Sequence, residues 1–469
     1  MNLSLAKTII YKDLADVKEA VKSGEDVNEL DEYGYYPIIE AAIANKPDIA
    51  IFLLKSGANI NVADMTGRTA LHWAADNGNL KLSKLLLEKG ASPNAYTQSG
   101  QPVLVKPILR NQPQLKQLLF EYNADLDFAK DYTNAKLLGH LFHLRGVADI
   151  VDPSNKFIEL NFEGFYMEFT LSVVCYSFYH FVTNYANRHF RKYQFQLRKL
   201  IDIVGIAAEL IQYQQYSIDR SQYHEQIHSL LNKPLKLLPV AYEGHGVSFV
   251  QYEDIWVRID RGEFGREHGS INFYRVGNTD VLNQKFFFYL LYTKHNKEFI
   301  TEEIDKLLEL TPIAQMPMTT QSTGNCSWAN IEAAVPVILF ILMQSQFRFD
   351  ASKGIFQKNM AASLRIFETW LNWYKDREIK ACIDSFNEAN NARKASKASI
   401  LGAILMQQCH YENFKTIGRV EQILEILTQK KFRYVLKSYI DAYCQPKMTP
   451  AGRNLCDVLE SHGIDPDLF

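Results

Sequence analysis

The sequence has no excess of either charge. Lys and Arg number 51 and Asp and Glu 53 in 469 residues, for a net charge of −2. Binding nucleic acid regardless of its sequence needs a strong basic excess, so no direct nucleic-acid partner is expected. Cysteine is scarce. Cys175, Cys326, Cys382, Cys409, Cys444 and Cys456 form no CxxC pair and no metal-ligand spacing. So few cannot staple a chain of this length, which points to a reducing compartment, and neither metal nor organic cofactor is expected. Long apolar runs are short or broken. The most apolar window, about Phe165 to Val182, carries Glu168, Ser177 and His180 and reads as a buried helix rather than a membrane span. Met1 to Ile10 lacks a basic stretch followed by an apolar one, so no secretory signal is expected. Proline is sparse at 15, against 28 Phe and 25 Tyr, which excludes disorder as the dominant state. What remains is a globular chain of two to four domains at roughly 100–200 residues each.

Internal repetition is the strongest positive signal. Gly24, Gly57 and Gly90 recur every 33 residues, as do Gly34, Gly67 and Gly100, and Asn28, Asn61 and Asn94, with Asp127 continuing the last series. The clearest unit, Ala63 to Asn94, carries Thr69-Ala70-Leu71-His72. It resembles the ankyrin consensus, whose TPLH stands at that place. Thr69 suits a helix cap, Leu82, Leu85 and Leu86 make an i, i+3, i+4 stripe, and Gly90 follows the second helix. One unit cannot bury its own face, so the units must stack. Residues 1–150 read as about four repeats, the first and last diverged, with Asp131–Asp149 as a degenerate closing helix pair. The resemblance implies docking of a protein partner, with Trp73, Tyr96 and Gln101 as candidate contacts.

Past Asp152 the period is lost. Residues 151–237 read as a helical, aromatic-rich subdomain, and residues 346–469 as a helical region packing on the core. Between Leu237 and Tyr274 the period switches to two, and LPVAY, GVSFV, IWVRI and SINFY read as strands. A helix-like TEEIDKLLEL follows from Thr301, and another helix from about Trp328.

Chemistry concentrates in 238–345. If GVSFV and IWVRI form a hairpin with its tip at Tyr252-Glu253, His245 falls opposite Asp260 on one face. A carboxylate there fixes the ring tautomer and stabilises the imidazolium. Asn325 reads as an N-cap, which puts Cys326 in the first helical turn, where the dipole and free N–H groups favour a thiolate. Pro336 is expected to kink or end that helix. Gln321 can bring an amide to the oxyanion of a thioester-forming reaction, beside the Cys326 backbone N–H.

The order His245, Asp260, Gln321, Cys326 resembles that of cysteine peptidases of the adenain/SUMO-protease clan, which also holds the YopJ-like acetyltransferases. The resemblance implies His245 as general base, Asp260 as its orienting acid, Gln321 in the oxyanion hole and Cys326 as nucleophile. Two positions depart from it: Gly246 where the clan often has Trp, and Ser327 where it often has Gly. An acyl-CoA donor needs a basic phosphate cradle, and none lies near the motif, which favours cleavage of a peptide or isopeptide bond over acyl transfer. A papain-like order with His410 as base, and a non-catalytic scaffold on a degenerate protease fold, stay open. The expected architecture is thus an all-α ankyrin solenoid followed by an α+β cysteine-protease-like domain with helical insertions. The whole chain resembles the ankyrin-repeat effectors of Legionella. That implies type IV secretion into a host cell, action in the host cytosol or nucleus, host proteins as partners and a peptide or ubiquitin-like substrate.

Overall fold

The computed structural model describes residues 4–214, 220–321, 324–344, 353–445 and 447–469. Its contacts group the chain into two units. One comprises the residues up to Lys136 with Gly146–Asn161 and Asn390–Ser396; the other comprises Leu137–Arg145, Phe162–Ala389 and Lys397–Phe469.

The first unit is built of paired helices: Leu5–Tyr11 with Leu14–Lys22, Pro37–Ile43 with Pro47–Lys55, Ala70–Asp76 with Leu80–Glu88, and Val105–Leu109 with Pro113–Glu121. The 33-residue asparagine series has a physical cause. Asn28 accepts the backbone N–H of Asn59 at 2.8 Å and donates to the Gly57 carbonyl at 3.0 Å. Asn61 does the same with Ser92 (2.9 Å) and Gly90 (3.2 Å), and Asn94 with Asp125 (2.7 Å) and Asn123 (2.9 Å). Each asparagine therefore satisfies two backbone groups of the next repeat, at a spacing only that repeat length allows. The second glycine series serves close approach. Gly67 has φ +82°, and a Cβ there would fall 2.5 Å from the Gln98 backbone nitrogen, whose N–H donates to the Thr66 carbonyl.

The expected closing helix pair at Asp131–Asp149 is absent. One helix, Leu126–Leu141, is followed by a hairpin of β1 (Val147–Val151) and β2 (Phe157–Asn161). Ala148, Ile150, Ile158 and Leu160 point inward, while apolar Val147 and Phe157 stand outward and Val151 is buried, so the sequence carries no clean period of two here. Arg393 joins this unit through ion pairs to Asp131 (2.5 Å) and Asp127 (2.7 Å).

The second unit is organised around a five-stranded antiparallel meander in chain order: β3 (Leu235–Tyr242), β4 (His245–Tyr252), β5 (Ile255–Ile259), β6 (Ile271–Val276) and β7 (Leu310–Gln315). The segment from Thr301 is helical through Leu307, as expected, and the last strand begins at its end, at Leu310. Phe249 and Trp256 pack on one side with Leu210, Ile227, Phe286 and Leu290. Val250, Val257 and Phe273 stand side by side by register, and Phe273 meets Phe340 at 5.4 Å, placing the helix Cys326–Gln344 on the other side. That helix, not the Phe165–Val182 window, is the one long and apolar enough to span a membrane among the described residues, and 89% of its apolar window is buried inside the protein. It runs unbroken through Pro336. Packing on nearly all sides outweighs the roughly 3 kcal/mol that an interior proline costs.

Candidate active site

His245 opens β4 immediately after a two-residue turn, Glu243-Gly244, with φ of +45° and +82°. Both positive values match the hairpin turn that pairs Tyr242 with His245. The β4–β5 register is displaced by two residues from the expected one. Tyr252 pairs with Ile255 around a Glu253-Asp254 tip, so continuing the ladder sets His245 opposite Gly262 rather than Asp260. A two-residue shift keeps every side chain on its own face, whereas a shift of one would have reversed them. His245 and Asp260 therefore still meet, diagonally: Nε2 lies 3.0 Å from Asp260 Oδ1. Gly262 makes this possible. A Cβ there would fall 2.5 Å from His245 Cε1 and 2.9 Å from Nε2, and its N–H donates to the same Asp260 oxygen at 2.7 Å.

Cys326 is the first residue of its helix. Its Sγ accepts the Gly246 backbone N–H at 3.2 Å, and His245 is the imidazole that acts on its titration. Burial works against the charged imidazole, yet the hydrogen bonds to Asp260 and Cys326 prevail and push its pKa up to about 9. Burial likewise works against a thiolate, and the bonds from His245 and from the Gly246 and Ser327 backbone hold the thiol below its ordinary value. Burial dominates the contrasting cases: Cys175 is pushed up by it and by Asp202, and Cys409 is raised to about 11 against the pull of Arg419 and Lys375. Cys456 is raised to about 12 by burial and by its neighbour Cys444.

The departure at Gly246 has a structural counterpart. A Cβ there would meet Met167 Sδ at 3.5 Å and the Ser327 Cα at 3.7 Å, so this strand position lies directly against the helix start, where its N–H reaches the sulfur.

Gln321 is half-buried, and its N–H donates to the Arg261 carbonyl at 2.7 Å, one residue beyond Asp260. Its Oε1 is buried without a partner. Asn325 holds the N-cap position, but its amide is not a cap: Nδ2 donates to His143 Nδ1 at 2.7 Å, while its carbonyl accepts the Trp328 and Ala329 N–H groups. The rival His410 follows the helix Asn391–Gln408 and is exposed; the sulfur's imidazole partner is His245.

Several residues beneath the site were not singled out from the sequence. Asn330, 1% exposed, accepts the Arg261 backbone N–H and donates to the Gly246 carbonyl. Glu332 is buried, takes the Trp328 indole N–H, and lies 3.4 Å from Arg261 Nη1 and 3.7 Å from His143 Nε2. Burial alone would raise its pKa, but His143 and Arg261 hold it at about 2. Polar residues inside ANIEAAVPVILF are the available signal, since an apolar helix tolerates them only when partnered. Among the described residues, no group of three or more His, Cys, Asp or Glu side chains could hold a metal ion.

The repeat unit has no such cluster of chemistry. Trp73 is half-buried, donates to Asp64 at 3.0 Å and lies under Arg68. The Tyr96 ring meets Phe128 at 5.9 Å and its hydroxyl accepts from Lys156 at 3.3 Å. Gln101 is only 4% exposed, and its carbonyl bonds the His72 ring. Burial removes it from any partner surface, a correction to the expectation. Exposed apolar side chains of this unit include Leu30, Tyr33 and Met65, at 51%, 63% and 73%, on two adjacent repeat loops.

A family model for ankyrin repeats matches residues 5–97 in three copies. The solved structure of the Legionella effector AnkH is similar at 43% identity with a TM-score of 0.83, covering 99% of this chain and 98% of that one. The chain belongs to the AnkH family. No curated protein matches it. It is thus an ankyrin-repeat protein with a C-terminal region of helices and antiparallel sheet, similar over its whole length to AnkH.

Proposed function

We propose that the chain is a translocated effector that docks a host protein through its repeats and carries a thiol-hydrolase site. The observation that carries the reading is a sulfur at a helix start that accepts the N–H of the residue after His245, an imidazole that rests on a buried carboxylate. The Cys326 thiolate attacks the carbonyl carbon of a peptide or isopeptide bond. The oxyanion is met by the Cys326 backbone N–H, left free at the helix start, and by the Gln321 amide. His245 passes its proton to the leaving amine, and a water that it deprotonates then releases the acid from the thioester. Asp260 keeps the imidazolium oriented through both steps. Similarity to AnkH supports delivery into a host cell by a type IV system, and exposed Tyr33 and Met65 suit the docking face better than the half-buried Trp73 and Tyr96.

The test is thiol-specific. Mapped iodoacetamide labelling at neutral pH should find Cys326 alone reacting fast, and wild type but not C326A should cleave ubiquitin-like or peptide amide substrates. In Q321A turnover should fall by roughly 10²–10³ with little change in KM. If Cys326 reacts no faster than the other five cysteines and C326A matches wild type on every substrate, the chain is a scaffold.

A further inference from the structure

We infer that Asn330 is a positioning residue, a single amide that holds the three groups of the site in register; this rests on the hydrolase reading. Asn330 lies four residues after Cys326, one helical turn on and along the same face. Its Oδ1 accepts the Arg261 backbone N–H at 2.8 Å, and its Nδ2 donates to the Gly246 carbonyl. Gly246 directly follows His245, and its own N–H reaches the sulfur at 3.2 Å. Arg261 directly follows Asp260. Each member of the His–Asp–Cys set is therefore tied to this amide, two of them by one peptide link and the third by one turn of helix.

The two bonds run in opposite senses, one accepted and one donated. Neither a carboxylate nor a hydrocarbon of the same size can make both, because the first has no donor and the second has neither group. Arg261 extends the tie. Its carbonyl takes the Gln321 N–H at 2.7 Å, and its guanidinium donates to the carbonyls of Thr319 (2.8 Å) and Ala329 (3.3 Å). The strand end bearing the base and the turn bearing the acid thus meet at the Asn330 amide, and Arg261 ties the loop leading to the nucleophile to that turn. The His245–Cys326 contact depends on that convergence, since the three segments are remote in sequence.

The test is the pH dependence of Cys326 alkylation in the full chain, measured with circular dichroism and a thermal midpoint to show folding. Wild type should show a depressed thiol pKa that H245A raises. N330D keeps the acceptor for Arg261 and loses the donor to Gly246; it should shift the alkylation profile upward by about one unit, a roughly tenfold loss of neutral-pH rate. N330A and N330S should shift it in the same direction and serve if N330D does not fold. Folded Asn330 variants that retain the wild-type profile, while H245A alone moves it, overturn the role of Asn330 and leave the hydrolase reading standing. A wild-type profile like that of a free thiol overturns both. Loss of the fold in all three variants also overturns the inference, since Asn330 would then be structural.

Discussion

Two histidines set the two units apart. His72 of the third repeat is 1% exposed, its ring nitrogens facing Thr69 and the Gln101 carbonyl. Burial, followed by nearby Arg68, pushes its pKa down to about 4, so it is neutral and braces one repeat against the next. His245 is also pressed by burial, but an acid and a sulfur reverse the outcome and carry it up to about 9. Burial alone makes an imidazole a strut; burial between a carboxylate and a thiol makes it a charge carrier. The units differ likewise in how they spread their polar bonds. Asn28, Asn61 and Asn94 do one job three times, whereas the bonds of Asn330 have no duplicate among the described residues.

The sharpest way to break the contrast is at the carboxylate. Asp260→Asn should leave the fold intact and lower turnover by about 10³–10⁴, because an amide that donates to Nε2 favours the wrong tautomer. Steady-state kinetics on folded protein check this. Gly262→Ala comes next: its Cβ collides with the His245 ring, and neutral-pH labelling of Cys326 should slow by roughly 10²-fold. The same substitution at exposed, unencumbered Gly418 should do nothing.

The histidines themselves should show opposite signs against pH. The folded pKa of His72 lies below the 6.5 of a free ring, so the unfolded chain binds the proton first. Its contribution is fully present above about pH 6.5 and is lost as pH falls toward 4, a change on the order of 3 kcal/mol. For His245 the folded pKa lies above 6.5, so its contribution is present below that value and lost as pH rises through about 9. Denaturant midpoints across pH should lose the acid limb in His72→Gln and the alkaline limb in His245→Gln. The smallest effect belongs to the ladder. Asn61→Ala removes two exposed hydrogen bonds and should cost about 1 kcal/mol, with Asn28→Ala and Asn94→Ala alike and Cys326 labelling unchanged.

The repeats were readable because their polar bonds recur at the repeat length itself, so Asn and Gly print the period directly. The site was readable in its order of residue types, and His245 met Asp260 despite a misplaced hairpin tip because an even shift preserves the face. What escaped notice was either short or solitary. β1 and β2 are five-residue strands beside a long helix, and β7, beginning at Leu310 as the TEEIDKLLEL segment ends, pairs with β6 where no strand was expected. Asn330 and Glu332 are single polar letters in an apolar helix, and nothing in one sequence says what they face. Gln101 misled in the opposite way, as a polar residue in a loop whose backbone carbonyl bonds His72 of the preceding repeat.

The asparagine rungs have a mechanical corollary. Since each rung grips only the adjoining repeat, a tug along the chain peels that solenoid stepwise, at low and nearly uniform force. The meander, its strands laced in succession and its helix pinned across them, resists until it gives way all at once.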